Sequence, residues 1–120
     1  MMRLSLSDDW TPGRKHGFIV ASLRWGSRKW PAKFKTLEEA KTEKKINPAS
    51  GRLAQFYLCN RCNKEFTNKD VEVDHIIPVV DPKVGFVDWN TFIERMFCAR
   101  DNYQVLCKPC HKKKTKEENK

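Results

Sequence analysis

Apolar residues repeat with two different periods along this chain. In residues 88–98, Trp89, Phe92, Ile93, Met96 and Phe97 fall at i, i+3, i+4, i+7 and i+8. That spacing predicts an amphipathic helix, with Asp88 as its N-cap. Residues 17–30 carry a second helical stripe. Phe18, Ser22 and Trp25 lie on one line, with Ile19, Leu23, Gly26 and Trp30 on the next. Trp25 and Trp30 are expected on the core, and Arg24 and Arg28 on an exposed basic edge. Trp10-Thr11-Pro12-Gly13 reads as a turn ending a short leader, and Pro31 closes the helix. Thr36-Leu37-Glu38-Glu39 is a capping-box pattern, so a short charged helix is expected from Thr36 to Lys45. Asn47-Pro48-Ala49-Ser50-Gly51 then breaks the chain. Leu53–Leu58, Val71–Ile76 and Tyr103–Leu106 read as strands. Asp101-Asn102 makes a turn, and Pro109 fits the first turn of a helix bearing Cys110 and His111 through Lys114. Short strands mixed with short helices indicate a small α+β fold.

Charge changes the picture more than size does. The chain has 120 residues and 39% hydrophobic content, enough for one domain with a modest core. Residues 1–50 carry eleven Lys or Arg against five acids, residues 51–111 eight against eight, and residues 112–120 five against two. A neutral centre with basic flanks, at a sequence pI near 9.5, points to a polyanion such as DNA. Arg24, Arg28, Lys29 and Lys33 on one flank and Lys112, Lys113 and Lys114 on the other are the expected DNA contacts. No apolar run reaches membrane-spanning length, and residues 1–9 are too short and too acidic for a signal peptide. A soluble, cytoplasmic protein is expected. The division is a basic helical extension (1–50), a central domain (51–114) and a charged tail (115–120).

Five cysteines include two CxxC pairs, Cys59/Cys62 and Cys107/Cys110, 44 residues apart. In a cytosolic chain that spacing reads as zinc ligation rather than disulfides. Four thiolates saturate tetrahedral zinc, so the site is structural. His111 could replace one thiolate, but neighbours on a helix lie roughly 100° apart and do not readily reach one ion. His111 therefore turns to another side. With the hard oxygen of Asp74 it could hold a second, divalent metal. His75, with an ordinary pKa near neutrality, suits a general base. Adjacent strand residues point to opposite faces, so Asp74 and His75 share a site only where the strand ends or bends. Cys98 is expected to be a small buried apolar side chain.

Asp74-His75-Ile76-Ile77-Pro78, and the stretch from Asn102 to Lys112 that contains Cys107, Cys110 and His111, resemble the two halves of the HNH endonuclease motif, over roughly residues 56–114. The likeness is to the small zinc-binding HNH proteins of tailed bacteriophages. It implies a ββα-metal core around a four-cysteine zinc site, with His75 activating water. It implies Asp74 and His111 binding Mg²⁺, Mn²⁺ or a similar ion. It also implies Asn102 fixing the hairpin and the orientation of His75, with Asn90 a competing candidate. DNA would be nicked or cut through, leaving 3′-hydroxyl and 5′-phosphate ends. The setting would be homing or DNA packaging, with a packaging terminase as a partner, in the host bacterial cytoplasm. The rival readings are a zinc-ribbon-like DNA-binding module without catalysis, and an interaction module anchored by Trp25, Trp30 and Trp89.

Overall fold

The computed structural model describes residues 10–120; the leader expectation for residues 1–9 falls outside them. The elements run α1 (Pro12–Ser27), α2 (Pro31–Glu39), β1 (Lys41–Asn47), β2 (Arg52–Leu58), β3 (Glu65–Thr67), β4 (Val71–His75), α3 (Trp89–Met96), β5 (Tyr103–Cys107) and α4 (Lys108–Glu118). Single 3₁₀ turns at Asn68–Asp70 and Arg100–Asn102 lead into β4 and β5. The fold is α+β, with a three-stranded antiparallel sheet (β1-β2-β3) and a two-stranded one (β4-β5).

The N-terminal half departs from the sequence expectation at several places. Thr11 is not part of a leader turn. It caps α1, its Oγ1 accepting the Arg14 amide at 3.1 Å, and Pro12 occupies the first helical turn. Pro31 both ends the first helix region and begins a second, α2. Thr36 is no N-cap: it lies buried inside α2 and donates its hydroxyl to Ala32 O at 2.8 Å. Residues 41–45, expected to be helical, form β1. Their backbone is paired by β2, with Lys45 opposite Ala54, Ile46 opposite Leu53 and Asn47 opposite Arg52. A partner strand outweighs a local capping signal here, because helix propensities differ by only tenths of a kcal/mol per residue. The expected break at Asn47–Gly51 is the turn of this β1–β2 hairpin, with Gly51 at φ +69°.

The C-terminal half follows the pattern. Asp88 caps α3 by accepting the Thr91 amide at 2.7 Å. Strands β4 and β5 pair in register, Asp74 opposite Gln104 and His75 opposite Tyr103. α4 continues to Glu118, so most of the expected tail is helix. The core has three parts. Val79, Phe92 and Met96 receive Val20 and Leu23 of α1. Tyr57, Val71 and Val105 receive Leu37 of α2 and Ala40 just after it, joining the two sheets. Cys59, Leu106, Cys107 and Cys110 form the third. Trp30 joins the core edge, its indole donating to Cys98 O at 2.7 Å. Trp25 does not, contrary to expectation; it stands 69% exposed. The reason is phase: the inward face of α1 is the one through Val20, Leu23 and Ser27.

Candidate functional site

Two centres share helix α4. The first is the cysteine cluster. Cys59 and Cys62 sit on the knuckle after β2, which closes tightly because Asn63 takes φ +58° and donates its amide to Cys59 O at 2.9 Å. Cys107 ends β5 and Cys110 lies in the first turn of α4. The four ligand sulfurs lie within 4.8 Å of one another. Cys62 Sγ and Cys107 Sγ are 3.9 Å apart. Sulfurs at about 2.3 Å from a tetrahedral ion stand about 3.8 Å from each other, so the cluster fits zinc. Burial pushes the Cys59 thiol up, but amides of Cys62, Cys107 and Arg61 outweigh it and hold that thiol at about 6. The Cys110 thiol is pushed up to about 12 by its hydrogen bond with Cys107 and by burial. A cation among the four sulfurs reverses the second effect.

The second centre is a cleft of about 360 Å³ between the end of β4, the loop after it, α1 and α4. Asp74, His75, His111, Lys114 and Arg24 all line it. Asp74 and His75 do occupy opposite faces of β4, as strand geometry demands. They reach one cleft because β4 ends at His75. Asp74 faces α4, where His111 Nε2 stands 3.5 Å from its Oδ1. Its other oxygen, Oδ2, accepts from Gln104 Nε2 at 3.2 Å and pairs with Lys114 Nζ at 3.2 Å. The carboxylate is thereby fixed, with one oxygen on the His111 side. An ion about 2.1 Å from each atom would span 3.5 Å at an angle near 110°, so the pair fits two ligands of one divalent metal.

The His75 ring lies over Tyr103, with centroids 4.7 Å apart, and Nε2 is 3.1 Å from Met96 O. A carbonyl only accepts, so Nε2 carries the proton and Nδ1 keeps the lone pair of the neutral ring. Burial, chiefly, lowers the His75 pKa from its ordinary value, and the charges of Lys33 and Arg24 add to it. Asn102 ties down the loop that follows. Its Oδ1 accepts the Ile77 amide at 3.0 Å, its Nδ2 donates to Ile77 O at 3.3 Å, and its backbone carbonyl accepts from Ile76 at 2.8 Å. The His75 ring gives its hydrogen bond to Met96 O, not to Asn102. Asn90 is exposed in the first turn of α3.

Three contributors escaped the sequence reading. Glu72 Oε2 is 3.1 Å from His111 Nδ1, on the same β4 face as Asp74. Gln104 stands opposite Asp74 in the ladder. Glu118 accepts from Lys114 Nζ at 2.8 Å. The first was accessible in principle: i, i+2 spacing on a strand puts Glu72 and Asp74 on one face.

The expected DNA contacts divide. Arg28, Lys29, Lys112 and Lys113 are exposed. Arg24 is exposed and lines the cleft. Lys33 is turned inward against Ser27 Oγ at 3.3 Å, and burial lowers its pKa. Lys114 has only 16% of its side chain exposed and also donates to His75 O at 3.0 Å. Burial alone would lower its pKa; the carboxylates of Glu118 and Asp74 outweigh that and raise it. Cys98 is half-buried, and Asn102 Nδ2 approaches its sulfur at 3.8 Å.

Among the described residues no helix is long and apolar enough to cross a membrane. No family profile and no solved structure matches the chain. It is similar to a protein of Lactococcus phage SK1 named "Probable HNH endonuclease", 42% identical over 59 residues, which is 49% of this chain and 54% of that protein. The chain thus spans about half the length of this curated relative. The resemblance to HNH endonucleases read from the motifs is borne out over that stretch.

Proposed function

We propose that the protein is a metal-dependent HNH endonuclease that hydrolyses phosphodiester bonds of DNA. The observation that carries this reading is the pairing of Asp74 Oδ1 with His111 Nε2 at 3.5 Å, beside a histidine whose Nδ1 is free to take a proton. Asp74 and His111 would hold Mg²⁺, Mn²⁺ or a similar ion. Such an ion supplies positive charge where negative charge develops on the phosphate and the leaving oxygen. His75 Nδ1 accepts a proton from the attacking water as the new P–O bond forms. The bond to the 3′ oxygen breaks, and that oxygen takes a proton from solvent to end as a hydroxyl, leaving a 5′-phosphate. Tyr103 and Met96 O hold the His75 ring. Glu72 sets the tautomer of His111 by accepting from Nδ1, which leaves the Nε2 lone pair toward Asp74. Asn102 fixes the loop that leaves the site. The four cysteines hold structural zinc, which anchors β5 and the start of α4, and hence His111, relative to β2.

The catalytic part lies within residues 51–114. Residues 1–50 supply the basic extension, with β1 completing the sheet of β2 and β3. Arg24, Arg28, Lys29, Lys112 and Lys113 contact phosphates. The phage relative supports a phage setting; the task we propose there is homing or packaging in the host cytoplasm, with a packaging terminase as partner in the second case. A non-catalytic zinc-held DNA-binding module is the other reading, and one observation favours it: the Lys114 ammonium already pairs with Asp74. A plasmid assay separates the two. Supercoiled DNA is incubated with zinc-loaded protein and Mg²⁺, Mn²⁺ or no added divalent ion, beside His75→Ala. Metal-dependent nicking or linearisation by the unaltered protein alone supports the nuclease. DNA retardation without cutting by either supports the binding module.

A further inference from the structure

We propose that the outward face of α1 is a stacking platform for an unpaired DNA strand, which it feeds past Arg24 into the cleft. Binding at the platform is independent of the chemistry; only the strand's destination rests on the nuclease reading.

The stripe is built from one helical face. Positions 14, 18, 21, 25 and 28 are spaced i, i+4, i+7, i+11 and i+14, and all five are exposed. Phe18 is 62% and Trp25 69% exposed. These rings are not spare core residues. The opposite face already meets the needs of folding: Val20 and Leu23 pack on Phe92 and Met96, and the His16 ring lies 4.4 Å from that of Phe86 and 4.7 Å from that of Trp89.

The stripe carries planar cations as well as rings. Arg28 lies over the Trp25 ring at 4.3 Å, and Arg14 over the Trp10 ring at 4.4 Å. Trp10 in turn meets Phe18 edge to face at 5.5 Å. Phe18 and Trp25 are seven residues apart, about 10 Å along the axis, or about three stacked nucleotides.

Charge selects the occupant. No acid falls between Asp9 and Glu38, while Arg14, Lys15, Arg24, Arg28, Lys29, Lys33 and Lys35 do. An apolar protein partner has no use for such a field, and a polyanion does. Of the polyanions, duplex DNA hides its base faces in its own stack, so exposed rings gain nothing from it. An unpaired strand offers both phosphates and free base faces. Arg24 follows directly, one residue before Trp25, and lines the cleft with Asp74, His75 and His111.

The test uses the full zinc-loaded chain without added divalent ion. Fluorescence anisotropy measures binding to oligothymidylate of about 20 nucleotides and to a duplex of equal length. Trp25→Ala and Phe18→Ala are each expected to weaken single-strand binding about tenfold and duplex binding less than about twofold, with Trp25→Phe close to the unaltered protein. Melting temperatures should match, since both side chains point to solvent. Equal losses on both DNAs, or no loss on the single strand, would overturn the platform. So would light scattering that shows a dimer dissociating in Trp25→Ala, because the stripe would then join two copies. Failure of the nuclease reading looks different: the plasmid stays uncut while the single-strand effect of Trp25→Ala persists.

Discussion

Glu72 Oε2 stands 3.1 Å from His111 Nδ1, and this contact leaves the other ring nitrogen facing Asp74. A carboxylate behind an imidazole fixes its tautomer and raises its basicity as a ligand. Glu72→Gln keeps the shape and weakens that effect; Glu72→Ala removes it. Calorimetric titration of zinc-loaded protein with Mn²⁺ should show affinity falling about 10- to 100-fold in Glu72→Ala and less in Glu72→Gln. Unchanged Mn²⁺ affinity in Glu72→Ala would mean that the contact only braces α4 against β4.

Under the proposed nuclease reading, the pH dependence of cleavage would follow from the burial of His75. Burial disfavours the imidazolium, so the pKa in the folded protein lies below its ordinary value. A base acts when unprotonated. The rate should therefore rise with pH at acidic values, pass its midpoint below about 6.5, and be level by neutrality. Single-turnover rates across that range give the midpoint. A rate still climbing steeply above about pH 7 would place the titrating group elsewhere.

The cysteine cluster makes a prediction about stability rather than chemistry. Cys59 and Cys110 are buried beside Leu106, and a structural ion would join the β2 knuckle to α4. Cys59→Ser or Cys110→Ser leaves three thiolates, so zinc content should fall below one per chain. With metal binding coupled to folding, a loss of about 2 kcal/mol or more would lower the melting temperature by roughly 10 °C. Plasma emission for zinc and a thermal melt check both. A zinc-free variant melting at the unaltered temperature would remove the structural role.

What could be read from the sequence was what depends on local spacing. The α3 stripe from Trp89 to Phe97, the Asp88 cap and the strands around Asp74 and Val105 rest on short-range periodicity, and each formed where the pattern put it. The CxxC spacing likewise carried the cysteine cluster. The failures share one cause. Lys41–Asn47 became a strand because β2 was available to pair with it, and no local signal reports a partner. Trp25 faces solvent because the helix phase is set by α3, which lies more than 60 residues away. Three-residue β3 is too short for its alternation to register. At the cleft, residue types identified Asp74, His75 and His111, while Gln104, Lys114 and Glu118 entered through register and helix docking. Glu72 was the exception, within reach of the strand period but hidden by its ordinary look as a surface acid.

The salt dependence of DNA binding can distinguish outward from inward cations. Each phosphate contact by Lys or Arg releases counterions, so the slope of log affinity against log salt is about −0.9 per contact. Lys112 and Lys113 are exposed on α4, whereas Lys33 is directed to Ser27 and Lys114 to Asp74 and Glu118. Replacing Lys112 and Lys113 together by Ala should reduce the slope by about 2 on duplex DNA and weaken binding alike on unrelated sequences. Lys33→Ala should leave the slope within about 0.3 of the unaltered protein, because a half-buried ammonium held by a hydroxyl has no phosphate to release ions from. Anisotropy titrations between about 50 and 200 mM salt measure both. A full unit of slope lost on Lys33→Ala would mean that this side chain swings outward when DNA binds.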